Sequence, residues 1–104
     1  MSYDVAPRCP LCRREGTNNN HTSNTRPIWE AAGCSIADFH DKPVAEFIPA
    51  LKVAIKELTE HPDKYWHMEP DNRWGSVAST LAFLKEVLRA MEEARETDVV
   101  EVCR

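Results

Sequence analysis

Two long stripes of apolar residues limit what this chain can fold into. Residues 44–60 carry Val44, Phe47, Ile48, Leu51, Ile55 and Leu58 at intervals of three and four, while Lys52, Lys56, Glu57 and Glu60 fall on the opposite side. That period lays an apolar stripe along one face of an α-helix, and a second element has to cover it. The second stripe follows Ser76: Val77, Leu81, Leu84, Leu88 and Met91 recur at intervals of 4, 3, 4 and 3, and Phe83 and Val87 widen it. Ser76 is the expected cap of this helix. Pro49 interrupts the first stripe. Its ring and missing N–H should kink the helix or move the true start nearer Glu46, where the first-turn N–H groups have no partner in any case.

The chain ends supply a different pattern. Tyr3 and Val5 alternate ahead of Pro7, which reads as a short strand that the proline confines to an edge or terminates. Val99, Val100 and Val102 give β-branched residues after the Thr97-Asp98 break, and the two terminal strands are expected to pair. Between them, residues 13–25 (RREGTNNNHTSNT) read as a solvated polar loop. Thr25-Arg26-Pro27 opens a short helix bearing Ile28 and Trp29, with Gly33 as a left-handed stop. Ser35 and Asp38 match a reciprocal capping box before Ile36 and Phe39. His61-Pro62-Asp63 starts a further helical turn through about Met68, with His61 as the half-in cap, and Pro70 ends it. The expectation is one α+β domain over 1–104, in which two long amphipathic helices and short helices pack on a small sheet of N- and C-terminal strands. Its parts are an N-terminal strand and Cys-x-x-Cys turn at 1–12, the polar loop at 13–25, a helical body at 26–95 and a C-terminal strand at 98–103.

At 104 residues the chain holds one core. Thirteen Lys and Arg against 17 Asp and Glu leave a net charge of −4, which weighs against general duplex binding because phosphate contacts need clustered cations. No apolar run approaches the ~20 residues of a membrane span. The first residues, MSYDVAPRCP, lack the basic-then-apolar form of a signal peptide, so a cytoplasmic protein without membrane contact is expected. In that compartment the four cysteines read as thiols or metal ligands.

Cys9-Pro10-Leu11-Cys12 is the most specific chemical signal, since a two-residue gap lets two thiolates bind one Zn²⁺ from a tight turn. A structural zinc on Cys9 and Cys12 would need completion by Cys34 and His21, or by Cys103. A thioredoxin-like role fits less well, because Arg13-Arg14-Glu15-Gly16 does not continue as an apolar helix. Two other segments suit ligand binding. Asn20, Thr22 and Asn24 belong to a run of uncharged amides and hydroxyls able to satisfy a nucleobase or sugar, although capping and turn formation explain them as well. Asn72, Arg73, Trp74 and Ser76 precede the second long helix, where N–H groups, a guanidinium and an indole could meet an anion and a base. For Trp74 the simpler expectation is a plug in the core. His61, Tyr65, Trp66 and His67 lie close in sequence without a matched base and nucleophile. No phosphate-loop, dinucleotide, zinc-protease or nucleophile-elbow pattern occurs, so enzymatic chemistry would need an open metal site on Cys9, Cys12 and a His.

The order of motifs from residue 20 onward resembles a family of small uncharacterised bacteriophage proteins. The matching elements are Asn20-His21-Thr22-Ser23-Asn24, Trp29, His61-Pro62-Asp63-Lys64-Tyr65, Asn72-Arg73-Trp74-Gly75 and Val100-Glu101-Val102-Cys103-Arg104, and some members also carry an N-terminal Cys-x-x-Cys. This chain departs from the pattern at Arg73 in place of Gly, at Glu69 in place of Asn, and at Ser76-Val77-Ala78 in place of a polar and aromatic stretch. The resemblance implies a phage-type setting in a bacterial host cytosol and little chemistry. By that association the expected role is non-enzymatic counter-defence through capture of a nucleotide-derived immune signal. The alternatives are an acidic, anti-CRISPR-like inhibitor of a host defence protein, and a small zinc-stabilised adaptor. Phe47, Trp29 and Trp66 suit either a face between two copies in a homo-oligomer or the core of a monomer.

Overall fold

The computed structural model describes residues 2–104. Strand β1 (Ser2–Arg8) lies at the centre of a three-stranded antiparallel sheet, between β2 (Asn19–Thr22) and β3 (Val99–Cys103). Helices α1 (Arg26–Ala32), α2 (Val44–Glu60) and α3 (Val77–Glu93) pack with it, and three 3-10 segments at Ser23–Thr25, Ile36–Phe39 and Pro62–Met68 join them. The α+β class and the pairing of the chain ends are as expected, with β1 and β3 in register from Asp4 opposite Cys103 to Arg8 opposite Val99.

Two expectations about the sheet are corrected. Residues 19–22 form a strand, where a solvated loop was expected. They carry no apolar alternation, and what holds them is the β1 edge, with Ser2 opposite Thr22 and Asp4 opposite Asn20. Asn20 and Asn18 both donate to Asp4 Oδ1, at 2.9 and 3.2 Å, and hold its carboxyl below the usual value. Pro7 neither ends its strand nor sits on an outer one. Gly16 N–H donates to Pro7 O at 2.8 Å, so the main-chain polar groups of Pro7 face away from β3, on the side where β2 has already ended. The missing N–H therefore costs no ladder bond.

The outer edge of β3 is covered by residues 40–44. Asp41 N–H donates to Val100 O at 2.8 Å, Val100 N–H to Lys42 O at 2.9 Å and Val44 N–H to Asp98 O at 3.0 Å. His40 Nδ1 accepts from Val102 N–H at 3.0 Å. Covering the edge in this way removes a template for pairing with another chain.

Both helical stripes face the core along α2 and α3: Phe47, Leu51, Leu58, Leu84, Val87 and Met91 are sealed from solvent, and Ile48, Ile55, Leu81 and Leu88 are partly buried at its margin. Helix α2 begins at Val44, before Pro49, so the start near Glu46 is not found; Pro49 is exposed and lies within the helix. Gly33 ends α1 at φ 115°, as its position predicts. The expected Ser35 capping box does not form: Asp38 N–H bonds the Ser35 carbonyl, and the Ser35 hydroxyl makes no cap bond. His61 likewise occupies a cap position without a side-chain cap bond. At Ser76 the box does form, with Ser79 as the reciprocal partner.

Trp29 is 0% exposed, its ring 5.0 Å edge-on to Tyr3 of β1 and 5.9 Å from Phe83 of α3. Phe47 is also sealed, so neither residue can belong to a face between two copies; of the three candidates only Trp66 is exposed. Among the described residues, no helix is long and apolar enough to cross a membrane.

Truncating Phe47 to Ala should cost about 3–5 kcal/mol of stability, the usual range for a buried aromatic. The same truncation of exposed Val53 on α2 should stay within about 0.5 kcal/mol. Urea unfolding of the two variants checks both values.

Candidate functional site

The connection between α2 and α3 holds two indoles in solvent. Tyr65 anchors its first half: the ring is buried, and the hydroxyl donates to Glu57 Oε1 at 2.9 Å. That bond, aided by Lys64, holds the Glu57 carboxyl below its usual range, while burial and the adjacent carboxylate push the Tyr65 hydroxyl up. Trp66, the next residue, is 60% exposed.

The second half is a constrained turn. Asn72 Oδ1 accepts from Trp74 N–H at 2.9 Å, Arg73 takes the left-handed conformation at φ 63°, and Gly75 does so at φ 111°. A Cβ on Gly75 would collide with Thr25 Cγ2 and lie 2.9 Å from Thr22 Cγ2, so the turn is pressed against the Thr22–Thr25 segment. Trp74, between the two left-handed residues, is 69% exposed. The expectation of a core plug is thus overturned, and Trp29 takes that place.

The structure brings Thr22 and the Asn72–Ser76 turn together, but most of their polar groups are already engaged. Thr22 Oγ1 accepts from Asn24 N–H at 3.2 Å, and Asn20 is bound to Asp4 on the strand. Ser76 Oγ accepts from Ser79 N–H at 3.0 Å, while Glu69 Oε2 accepts from Val77 N–H at 2.8 Å. A carboxylate of the chain itself thus occupies the start of α3, and the expected phosphate seat at Ser76 is filled and negatively charged. In the sequence Glu69 stands out only as a departure from a motif. Its capping role needs the fold, because it reaches eight residues along the chain.

The expected zinc set is dispersed. Cys34 is buried, and loss of hydration pushes its thiol up to about 12, which disfavours the thiolate a metal requires. His21 lies elsewhere, stacked on Phe83 with ring centroids 5.0 Å apart and with Nε2 3.5 Å from Ser79 Oγ. Cys103 is exposed on β3, close to Glu101.

Cys9 and Cys12 do form a tight turn. Cys9 N–H donates to Arg14 O and Arg13 N–H to Cys9 O, both at 2.9 Å, with Arg13 at φ 62°. Cys12 N–H points at Cys9 Sγ at 3.5 Å. The backbone N–H groups of Cys12 and Leu11 hold the Cys9 thiol below its usual value. Both cysteines line a cleft of about 340 Å³ shared with the end of α3 and with Asp98. Among the described residues, no set of three donors that includes Cys9 and Cys12 lies within 4.8 Å; the one set of His, Cys, Asp or Glu side chains that does is His40, Asp41 and Glu101. Arg8 pairs with both carboxylates there, Glu101 at 2.7 Å, so a cation already neutralises that cluster.

No family model matches the chain, and neither a curated protein nor a solved structure does.

Burial holds the His21 imidazole below its usual 6.5, so the unfolded chain takes up a proton more readily than the folded one. Stability is therefore complete above about pH 6.5 and falls as the pH drops through that value toward the folded pKa. Melting temperatures from about pH 8 to about pH 5 should show this loss, and His21→Phe should flatten it. The Glu57 carboxyl, held below its usual 4.5, adds its own loss only at lower pH.

Proposed function

We propose that this chain is a non-enzymatic recognition protein that docks on another protein through the 62–76 connection. The observation carrying this reading is Trp74, 69% exposed in a turn whose neighbours on both sides are left-handed. An indole left in water gives up the stabilisation that burial would bring, and Arg73 adds backbone strain of about 1–3 kcal/mol. Trp and Arg are also the side chains that most often anchor protein interfaces. The net charge of −4 suits an electropositive partner.

Capture of a nucleotide-derived signal has less support. Such a ligand calls for a concave pocket with free polar groups, whereas here Glu69 and Ser76 already serve the N–H groups that would meet phosphate. The phage-type setting, with a host defence complex as the partner, is supported by motif resemblance only.

Affinity capture from a bacterial lysate, run in parallel with the wild-type chain and a Trp66→Ala, Trp74→Ala variant, tests the reading. A partner should bind the wild type and lose at least about tenfold in affinity to the variant, the equivalent of about 1.4 kcal/mol. The variant's melting temperature should stay unchanged, since both indoles lie in solvent. Equal binding of every captured protein by the two chains would refute the docking surface. A Trp74-dependent rise in melting temperature with a cyclic or linear nucleotide would replace it with the signal-capture reading.

A further inference from the structure

The sheet register places a carboxylate beside the cysteine turn. The β1–β3 ladder ends with Arg8 opposite Val99, so Cys9 and Asp98 are the next residues beyond its end, and both line the same cleft. The main-chain groups of these two residues face outward: Cys9 N–H bonds Arg14 O, and Asp98 O accepts from Val44 N–H. An antiparallel continuation of that ladder would make them a non-hydrogen-bonded pair, and Asp98 lies close enough to Cys9 for its charge to act on the thiol. Asp98 Oδ2 accepts from Arg95 N–H at 3.2 Å, but Oδ1 is buried without a hydrogen-bond partner among the described residues. A buried carboxylate oxygen left in that state is costly, and beside a thiolate it is also repelled. Both costs vanish if a cation sits between the two groups.

We propose that Cys9, Cys12 and Asp98 bind one thiophilic divalent cation, Zn²⁺ by ligand preference, with the fourth tetrahedral position open to the adjoining cleft. Two sulfurs from a two-residue gap and one carboxylate oxygen suit Zn²⁺, at about 2.3 Å for sulfur and about 2.0–2.2 Å for oxygen, and three protein ligands are the number that leaves a position for water or an incoming ligand. The N–H groups of Cys12 and Leu11 directed at Cys9 Sγ stabilise that sulfur as the thiolate a metal needs. Charge agrees: three carboxylates and two guanidinium groups line the cleft, so with both cysteines ionised the site carries a net negative charge. The three donor atoms do not all lie within 4.8 Å of one another, so binding has to turn the side chains toward the ion.

The site is separate from the Trp74 surface, and either proposal can fail without the other. The reduced full chain, kept in a non-thiol reductant, is titrated with Zn²⁺ and with Co²⁺ as a spectroscopic stand-in. Elemental analysis and native mass spectrometry should give one ion per monomer, and Co²⁺ should produce a sulfur-to-metal charge-transfer band. Cys9→Ser or Cys12→Ser should abolish that band, while Cys103→Ser should leave it unchanged. Asp98→Asn keeps an acceptor for the Arg95 N–H and so spares the turn; it should weaken binding by at least the ~10–100-fold that even an outer-shell carboxylate contributes. Half an ion per chain in a dimer would mean four thiolates shared between copies and would overturn the assignment. So would an Asp98→Asn affinity equal to that of the wild type, or an absence of binding by the wild-type chain.

Discussion

Pairing of the two chain ends is the constraint on which the rest of the structure depends. Strands β1 and β3 are separated by almost the whole sequence, and the entropy of closing so long a loop grows slowly, by about 0.6 kcal/mol per doubling of length. Burial of Tyr3, Val5 and Val100 helps to offset it. Once the ends are joined, β1 offers its other edge to residues 19–22, and β3 offers its outer edge to the segment that leads into α2. The same ladder brings Cys9 and Asp98, the residues just beyond its end, to one cleft.

Trp29 then locks the helices to that sheet. An aromatic side chain of this size buries roughly 150–250 Å², which at about 25 cal/mol per Å² is an upper estimate of roughly 4–6 kcal/mol. Its indole N–H has no hydrogen-bond partner among the described residues, a penalty of about 1–3 kcal/mol. Burial is the larger effect, so the ring stays inside. Contacts with Tyr3, His21 and Phe83 join β1, β2 and α3 at one point. That junction also seats the Thr22–Thr25 segment against Gly75, which fixes the exposed turn two steps removed from the core.

Where an element's cause is local, it could be read from the sequence. The apolar stripes of α2 and α3, the Gly33 stop and the Ser76 cap depend on residues within a turn or two of each other, and each lies where its pattern places it. Strand β2 has no such cause: its residues are polar, and pairing with the β1 edge together with His21 packed on Phe83 makes them a strand. Pro7 differs from its expected place for the same reason, because whether a missing N–H matters depends on which side of the strand lacks a partner. At the candidate sites the Cys9–Cys12 turn was visible as a spacing. The carboxylates that define each neighbourhood, Asp98 beside the thiols and Glu69 at the start of α3, were not, since both act across distances that sequence does not encode.

By itself the sequence determined an α+β domain with two amphipathic helices, paired ends and one Cys-x-x-Cys turn, because hydrophobic period and thiol spacing act over a few residues. Only the tertiary structure decided which of three tryptophans fills the core. Trp29, on the short helix under the sheet, meets Tyr3 and Phe83 from both sides. Trp66 follows an anchored Tyr65, and Trp74 lies in a turn wedged against Thr25, and both point into solvent. The three side chains are chemically identical, so their fates were set by what the backbone brought to each one.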